Sequence, residues 1–340
     1  MHPIADLHLH QEWSPRLDRA LARRNGFPPY DWTAWRAELV SQVPPGMARL
    51  QRLGQAVPAA TEADTDATFV ERIIDALFES AEAGSRYTEL RFGTDAVLRP
   101  GFMRMFRQAE DSVRRSYPRF RAEAVINVLL WYEPRRLHRI IDACEAAADE
   151  GLAGIDLLHI PYAVEADWRH ARHIVESARD AGLGVTVHAG EFSTANIEAV
   201  ASIEGVTRIG HATRAADDPR LLRALVHNDI TVEVCLSANL ILGSVADLAS
   251  HPLPRFLDAG VKVALGTDNP VRFGTTIADE YNLAARRGLS TSDLRQLTVQ
   301  AIASGFTTTE RKADLLADVD RETSSPSRST GSNKAMVSKC

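Results

Sequence analysis

Apolar residues recur along this chain in two alternating rhythms. Short runs rich in aliphatic and β-branched residues stand at 3–10 (PIADLHLH), 87–93 (YTELRFG), 123–131 (EAVINVLLW), 153–160 (AGIDLLHI), 184–190 (GVTVHAG), 206–213 (VTRIGHAT), 230–236 (ITVEVCL) and 261–268 (VKVALGTD). Between them, stretches such as 66–84, 134–151, 165–182 and 218–229 carry apolar residues at i, i+3 and i+4, the spacing of an amphipathic helix. Several of these end in the Gly or Asn that helix C-termini favour. Strand–helix alternation implies a parallel sheet, and eight repeats imply closure into a (β/α)8 TIM barrel of the α/β class. A doubly wound open sheet, the competing arrangement, predicts a glycine-rich phosphate loop after an early strand. Neither GxGxxG nor GxxxxGK[ST] occurs.

Two segments lie outside the repeat. Residues 11–65, between the first two strands, are too long for a simple connection and carry Trp13, Trp32 and Trp35 among several prolines. A helical insertion there sits on the face where barrel active sites form, so it is a candidate lid, with a packing decoration as the alternative. Two or three extra helices are expected after the eighth strand, to about residue 319. Residues 1–320 then read as a single domain, and the Ser-rich stretch 321–340 as a disordered tail.

Composition narrows the picture modestly. A chain of 340 residues, 45% hydrophobic, can bury a large core. Its net charge of −6 offers no basic field for nucleic acid. Cys144, Cys235 and Cys340 form no CxxC and no disulfide framework, which points to a reducing compartment. A strand-like segment by residue 3 and the lack of any apolar run near about 18 residues argue against a signal peptide or a membrane span. The expected location is the cytoplasm. Lysine occurs only at Lys262, Lys312, Lys334 and Lys339.

The chemistry collects at strand ends. His8 and His10 alternate at the end of the first strand, so both imidazoles face one side. His188 ends the fifth strand with Glu191 three residues on, His211 ends the sixth, and Asp268 ends the eighth. Any one of these could be a buried polar group satisfied by its neighbours. A barrel, however, brings its C-terminal strand ends to one mouth, and imidazoles with a carboxylate and an open position make a hydrolytic zinc site. A carboxylic acid and a further His nearby can then handle proton transfers. A carboxylated lysine bridging two metals is unavailable, since no lysine precedes residue 262, so one Zn²⁺ per chain is expected. His138, His170, His173, His227 and His251 fall on helices or loops and read as surface or packing residues, and His2 is terminal.

The segments DLHLH (6–10), YTELRF (87–92), GIDL (154–157), VHAGE (187–191), RIGHAT (208–213), EVCLSANL (233–240), LGTDNP (265–270) and FGTTIADEY (273–281) together resemble the adenosine/AMP deaminases of the metal-dependent amidohydrolase superfamily. The resemblance covers roughly residues 3–320. It implies that His8, His10, His188 and Asp268 bind Zn²⁺, that Glu191 protonates the ring nitrogen beside the attacked carbon, and that His211 orients the zinc hydroxide and acts as base. Asp268 would also hold that water. The implied activity is hydrolytic deamination of adenosine or a related 6-aminopurine nucleoside or base derivative, with release of ammonia.

The positions that would read the substrate depart from the family pattern. His159 stands where a purine-contacting glycine is usual, Asn269 where a second aspartate is usual, and Leu236 where a proline follows the cysteine. Glu12 replaces the usual aspartate that meets a sugar hydroxyl. The alternative is therefore a mononuclear zinc amidohydrolase acting on a different amino-heterocycle. A non-catalytic ligand-binding barrel is a third reading, and it would predict loss of a ligand or of Glu191. Both are present. The cytidine-deaminase signature HxE…PCxxC is absent.

Overall fold

The computed structural model describes residues 3–55, 64–159 and 164–324. Eight parallel strands run in sequence order around the sheet: β1 (Ile4–His10), β2 (Ser85–Phe92), β3 (Arg121–Leu129), β4 (Gly154–Leu158), β5 (Gly184–Ala189), β6 (Val206–His211), β7 (Thr231–Val234) and β8 (Lys262–Leu265). A parallel bridge between Leu9 and Asp268 brings the two edge strands together. It is held by His10 N–H donating to Asp268 O at 2.8 Å and Asp268 N–H donating to His8 O at 2.6 Å. This is the expected (β/α)8 barrel.

Helices Asp66–Glu82, Pro134–Ala148, Arg169–Asp180 and Pro219–His227 fall where the apolar periodicity places them. The third starts later than its pattern, at Arg169 rather than residue 165. Tertiary contacts claim the first turn instead: Ala166 N–H and Trp168 Nε1–H both donate to Asn196 Oδ1. Among the described residues four helices, rather than two or three, follow β8, at Pro270–Phe273, Ile277–Arg286, Thr291–Ser304 and Thr309–Ser324. The rest of the expected tail, 325–340, lies outside the described residues. No helix among the described residues is long and apolar enough to cross a membrane.

The insertion after β1 holds three helices, Trp13–Asn25, Trp32–Gln42 and Met47–Leu53, and residues 56–63 lie outside the described set. It packs over the C-terminal ends of the strands. Trp32, Trp35 and Leu39 cluster with Val271 from the segment after β8. Arg49 donates to the carbonyls of Val40, Val43 and Ile241, tying the insertion to the helix after β7.

Strand residues pointing outward meet helices and form the main apolar core. The inward positions are charged instead. Glu89 and Arg91 of β2, Asp156 of β4, Thr186 of β5, Arg208 of β6 and Glu233 of β7 are all fully buried and bond one another across the barrel. Buried charges persist only when paired in this way. At the opposite end, Phe306 closes the barrel floor. A Cβ on Gly184 would lie 2.1 Å from its ring, so only glycine admits it.

Candidate active site

His8, His10, His188, His211, Glu191 and Asp268 meet at the C-terminal mouth. One nitrogen from each of His8, His10 and His188 lies within 4.8 Å of the others. Ring centroids sit 4.7 Å apart for His8–His188, 4.9 Å for His8–His211 and 5.2 Å for His188–His211. Asp268 Oδ1 lies 3.6 Å from His10 Nε2. His211 and Asp268 adopt left-handed backbone, with φ of 67° and 60°. Such conformations cost about 1–3 kcal/mol each and cluster where a side chain must be aimed. Two glycines make room for His8: a Cβ at Gly266 would lie 2.4 Å from its Cβ, and one at Gly210 would lie 2.9 Å from its Cε1.

Each of the three clustered histidines is gripped by its Nδ1. His8 Nδ1 pairs with Glu233 Oε2 at 2.9 Å, and His188 Nδ1 with Asp156 Oδ1 at 2.9 Å. The Asn127 amide lies 3.3 Å from His10 Nδ1, and its Oδ1 is a buried atom with no partner. Turned over, that amide would accept from Nδ1–H and satisfy both atoms. Arg91 bridges the two carboxylates, donating to Asp156 Oδ2 at 2.7 Å and to Glu233 Oε2. The Nε2 atoms of His8 and His10 consequently face each other at 3.2 Å. With the Asn127 amide turned over and each Nδ1 protonated, the two Nε2 lone pairs would repel at that separation unless a cation lay between. Carboxylate-oriented imidazoles are the usual ligands of such a cation. The donor set thus fits one divalent metal bound by His8, His10, His188 and Asp268.

Electrostatics suit that role. Burial lowers the pKa of His8, His10 and His211 well below the usual histidine range and keeps their rings neutral. Burial, and then the charge of Asp268, pushes the Glu191 carboxyl well above its ordinary value. Its Oε1 is buried without a partner. Glu191 therefore stands as a carboxylic acid beside the histidines, with His211 Nδ1 3.9 Å away. Burial lifts Asp268 to about 7, against the opposing pull of His188. Asp156 goes the other way: burial would raise it, but Arg91 and then His188 outweigh that and hold it below the carboxylate range.

The three residues expected at the substrate are placed differently. Glu12 is buried, its oxygens accepting from Val271 N–H at 2.8 Å and Arg272 N–H at 3.0 Å, where it caps the short helix after β8. Asn269 Nδ2 donates to Asp268 Oδ1. His159, half-buried after β4, has its ring centroid 5.8 Å from that of Trp168 and its Nδ1 unpartnered. A cavity of about 500 Å³ opens beside His10, between the ends of β1, β2 and β3. Gln11 Nε2, Thr94 Oγ1 and Arg72 Nη1, which line it, are all buried and unpartnered.

Sequence reasoning missed Arg91, Asn127, Asp156 and Glu233, which hold the histidines. Their signal was a polar or charged side chain at the inward alternate position of an apolar strand, as in ELRF, GIDL and TVEV. Of the histidines set aside, His138, His170, His173 and His227 are exposed, but His251 is buried.

The family model described as Adenosine deaminase matches residues 3–322. An adenosine deaminase of Aliivibrio fischeri is 31% identical over 330 residues, covering 92% of this chain and 96% of the relative. An adenine deaminase of Rhizobium leguminosarum is 43% identical over 146 residues, 41% of this chain and 44% of that protein. Among solved structures, an adenine deaminase from Arthrobacter aurescens superposes with a TM-score of 0.73 at 25% identity, covering 96% of this chain and all of its own. An Arabidopsis protein, ADAL, complexed with IMP shares the fold with a TM-score of 0.76 at 22% identity, covering 94% of this chain and 97% of that one. The family model and these relatives mark a barrel hydrolase that acts on C–N bonds. The chain belongs to the adenosine deaminase family.

Proposed function

We propose that this chain is a mononuclear zinc aminohydrolase that deaminates adenosine or a related 6-aminopurine nucleoside or base. The observation that carries the reading is the set of His8, His10 and His188, each anchored through Nδ1, beside the buried acid Glu191. One Zn²⁺ held by these histidines and Asp268 would supply the acidity that makes hydroxide available near neutral pH. Glu191, kept protonated by burial, gives its proton to the ring nitrogen next to the attacked carbon. His211 orients the attacking water. The Asp268 carboxylate takes the proton that the water loses and passes it to the amino group, which leaves as ammonia, and the adduct's hydroxyl proton returns to Glu191. In this reading residues 1–320 work as one cytoplasmic hydrolase unit, and the insertion 11–65 acts as a lid over the mouth.

A second reading, a different amino-heterocycle as substrate, is favoured by the placement of Glu12, Asn269 and His159. Glu12 is committed to the backbone of Val271 and Arg272, and Asn269 to Asp268. The cavity beside His10 supplies polar contacts for a ring substituent in either case. Ammonia release over a panel of adenosine, adenine, other aminopurines and non-purine amino-heterocycles separates the two. Silence on every aminopurine with zinc bound selects the second. Glu191→Gln tests the chemistry common to both: turnover is lost while zinc stays bound, and unchanged turnover refutes the assignment.

A further inference from the structure

His251 is buried behind the mouth, just before the helix Leu253–Asp258, and takes no part in the site described above. Its Nδ1 accepts from Leu253 N–H at 3.1 Å. A backbone N–H can only donate, and a neutral imidazole carries one proton, so that proton sits on Nε2. Burial, and then the nearby Arg287, pulls His251 down to about 4, which keeps it neutral. Nε2–H then donates to Asn239 Oδ1 at 3.3 Å. This fixes which way the amide points. Its Nδ2 faces His211 and donates to Nδ1 at 3.4 Å. Nδ1 of His211 is thereby an acceptor, and the ring proton belongs on Nε2. The chain runs one way because it starts at a backbone N–H, and turning the Asn239 amide over would leave two donors facing each other at His251.

We propose that Leu253 N–H, His251 and Asn239 form a directional hydrogen-bond relay that holds His211 as its Nε2–H tautomer, so that His211 meets the attacking water as a hydrogen-bond donor. Asn239 and His251 are positioning residues: they act through His211. The proposal rests on the reading of His211 as part of the catalytic centre. It departs from the base role that the family resemblance implies for His211. A neutral ring with Nε2 protonated and Nδ1 engaged by Asn239 has no lone pair left to take a proton from water. Second-sphere partners of this kind commonly matter about 10–100-fold.

The test uses the full, zinc-loaded chain labelled with ¹⁵N-histidine. Two-bond ¹H–¹⁵N spectra report which ring nitrogen of His211 is protonated, with its signals assigned by their loss in His211→Asn. Wild-type protein should show Nε2–H. Asn239→Asp can only accept, so it should turn His211 to Nδ1–H and lower kcat by roughly 10–100-fold, with KM and zinc content held. Wild-type Nδ1–H, or an Asn239→Asp variant with unchanged tautomer and rate, overturns the relay. A second pair guards against misfolding at Asn239. His251→Leu should reproduce the loss of rate, and His251→Gln, which can accept from Leu253 and donate to Asn239, should recover most of it. Equal rates in the two variants also overturn the relay. The tautomer is read without substrate, so failure of the relay is distinguishable from failure of the deaminase assignment.

Discussion

Glu233 is the residue on which the metal site and the barrel interior both lean, and Glu233→Gln separates charge from shape. Its Oε2 takes His8 Nδ1 at 2.9 Å together with Arg91 Nη2. Its Oε1 takes Thr186 Oγ1 at 3.0 Å and lies 2.9 Å from Arg208 Nε. Glutamine fills the same volume, but whichever way its amide turns, an N–H opposes at least one buried guanidinium N–H. Two fully buried guanidiniums also lose a counter-charge. Breaking a buried charge pair from one side costs about 3–5 kcal/mol. For 340 residues the unfolding entropy is about 0.7 kcal/mol/K, so Tm should fall by about 4–7 °C. Loosening the grip on His8 should weaken zinc by about 10–100-fold, and the lost negative charge acts in the same direction. Melting in the presence of a chelator isolates the first effect from metal linkage. Competition with a chromogenic chelator measures the second. A variant that melts within about 1 °C of wild type and holds zinc within about twofold would refute the account of Glu233.

Asp268→Ala should lower zinc content measured by atomic emission as well as deamination rate, and a full metal complement in that variant would contradict its role as ligand. Glu280, fully buried beside Ser237 and Thr275, is pushed up to about 7 from an ordinary value of 4.5, chiefly by burial. A raised carboxyl binds its proton more tightly folded than unfolded, so its stabilisation is present below about 4.5 and is lost as pH rises through about 7, by up to about 3 kcal/mol. Glu280→Gln should therefore gain Tm relative to wild type at pH 8 more than at pH 5; a difference between the two proteins that does not change with pH sinks the argument.

The barrel was legible because its strands are short apolar runs separated by helices with a period of 3.6, and because eight such units close on themselves. The six residues at the mouth were legible for the same reason: a barrel converts distant strand ends into neighbours. What escaped was everything that depends on register and side-chain direction. Asp156 sits in GIDL and Glu233 in TVEV, yet nothing in either run says that Arg91, 65 and 142 residues away, lies between them. Glu12 read as a substrate contact because it follows HLHQ. What the run does not disclose is that the left-handed backbone of Glu12, with φ of 48°, turns the carboxylate onto the amides of Val271 and Arg272. His251 read as packing because its partners, Leu253 and Asn239, belong to different segments that only the fold brings side by side.

Charge balance joins the interior to the mouth. Four buried carboxylates, Glu89, Asp156, Glu233 and Asp268, face two buried guanidiniums, Arg91 and Arg208. Burial keeps His8, His10 and His211 neutral and Glu191 protonated, so none of these offsets the excess. Uncompensated charge in a low-dielectric interior is expensive and is relieved by protonation or by a counter-ion. Asp268, lifted to about 7 by burial, is where protonation gives way first. A divalent cation held among His8, His10, His188 and Asp268 would remove the need by supplying positive charge where the arginines do not reach. Arg91, 3.3 Å from His8 Nε2, would not oppose such a cation strongly, because its own charge is already spent on Asp156 and Glu233. In the proposed reading an ion that activates water would also complete the electrostatics of the barrel core, and metal affinity and folding stability should rise and fall together in any variant that alters one of these six charges.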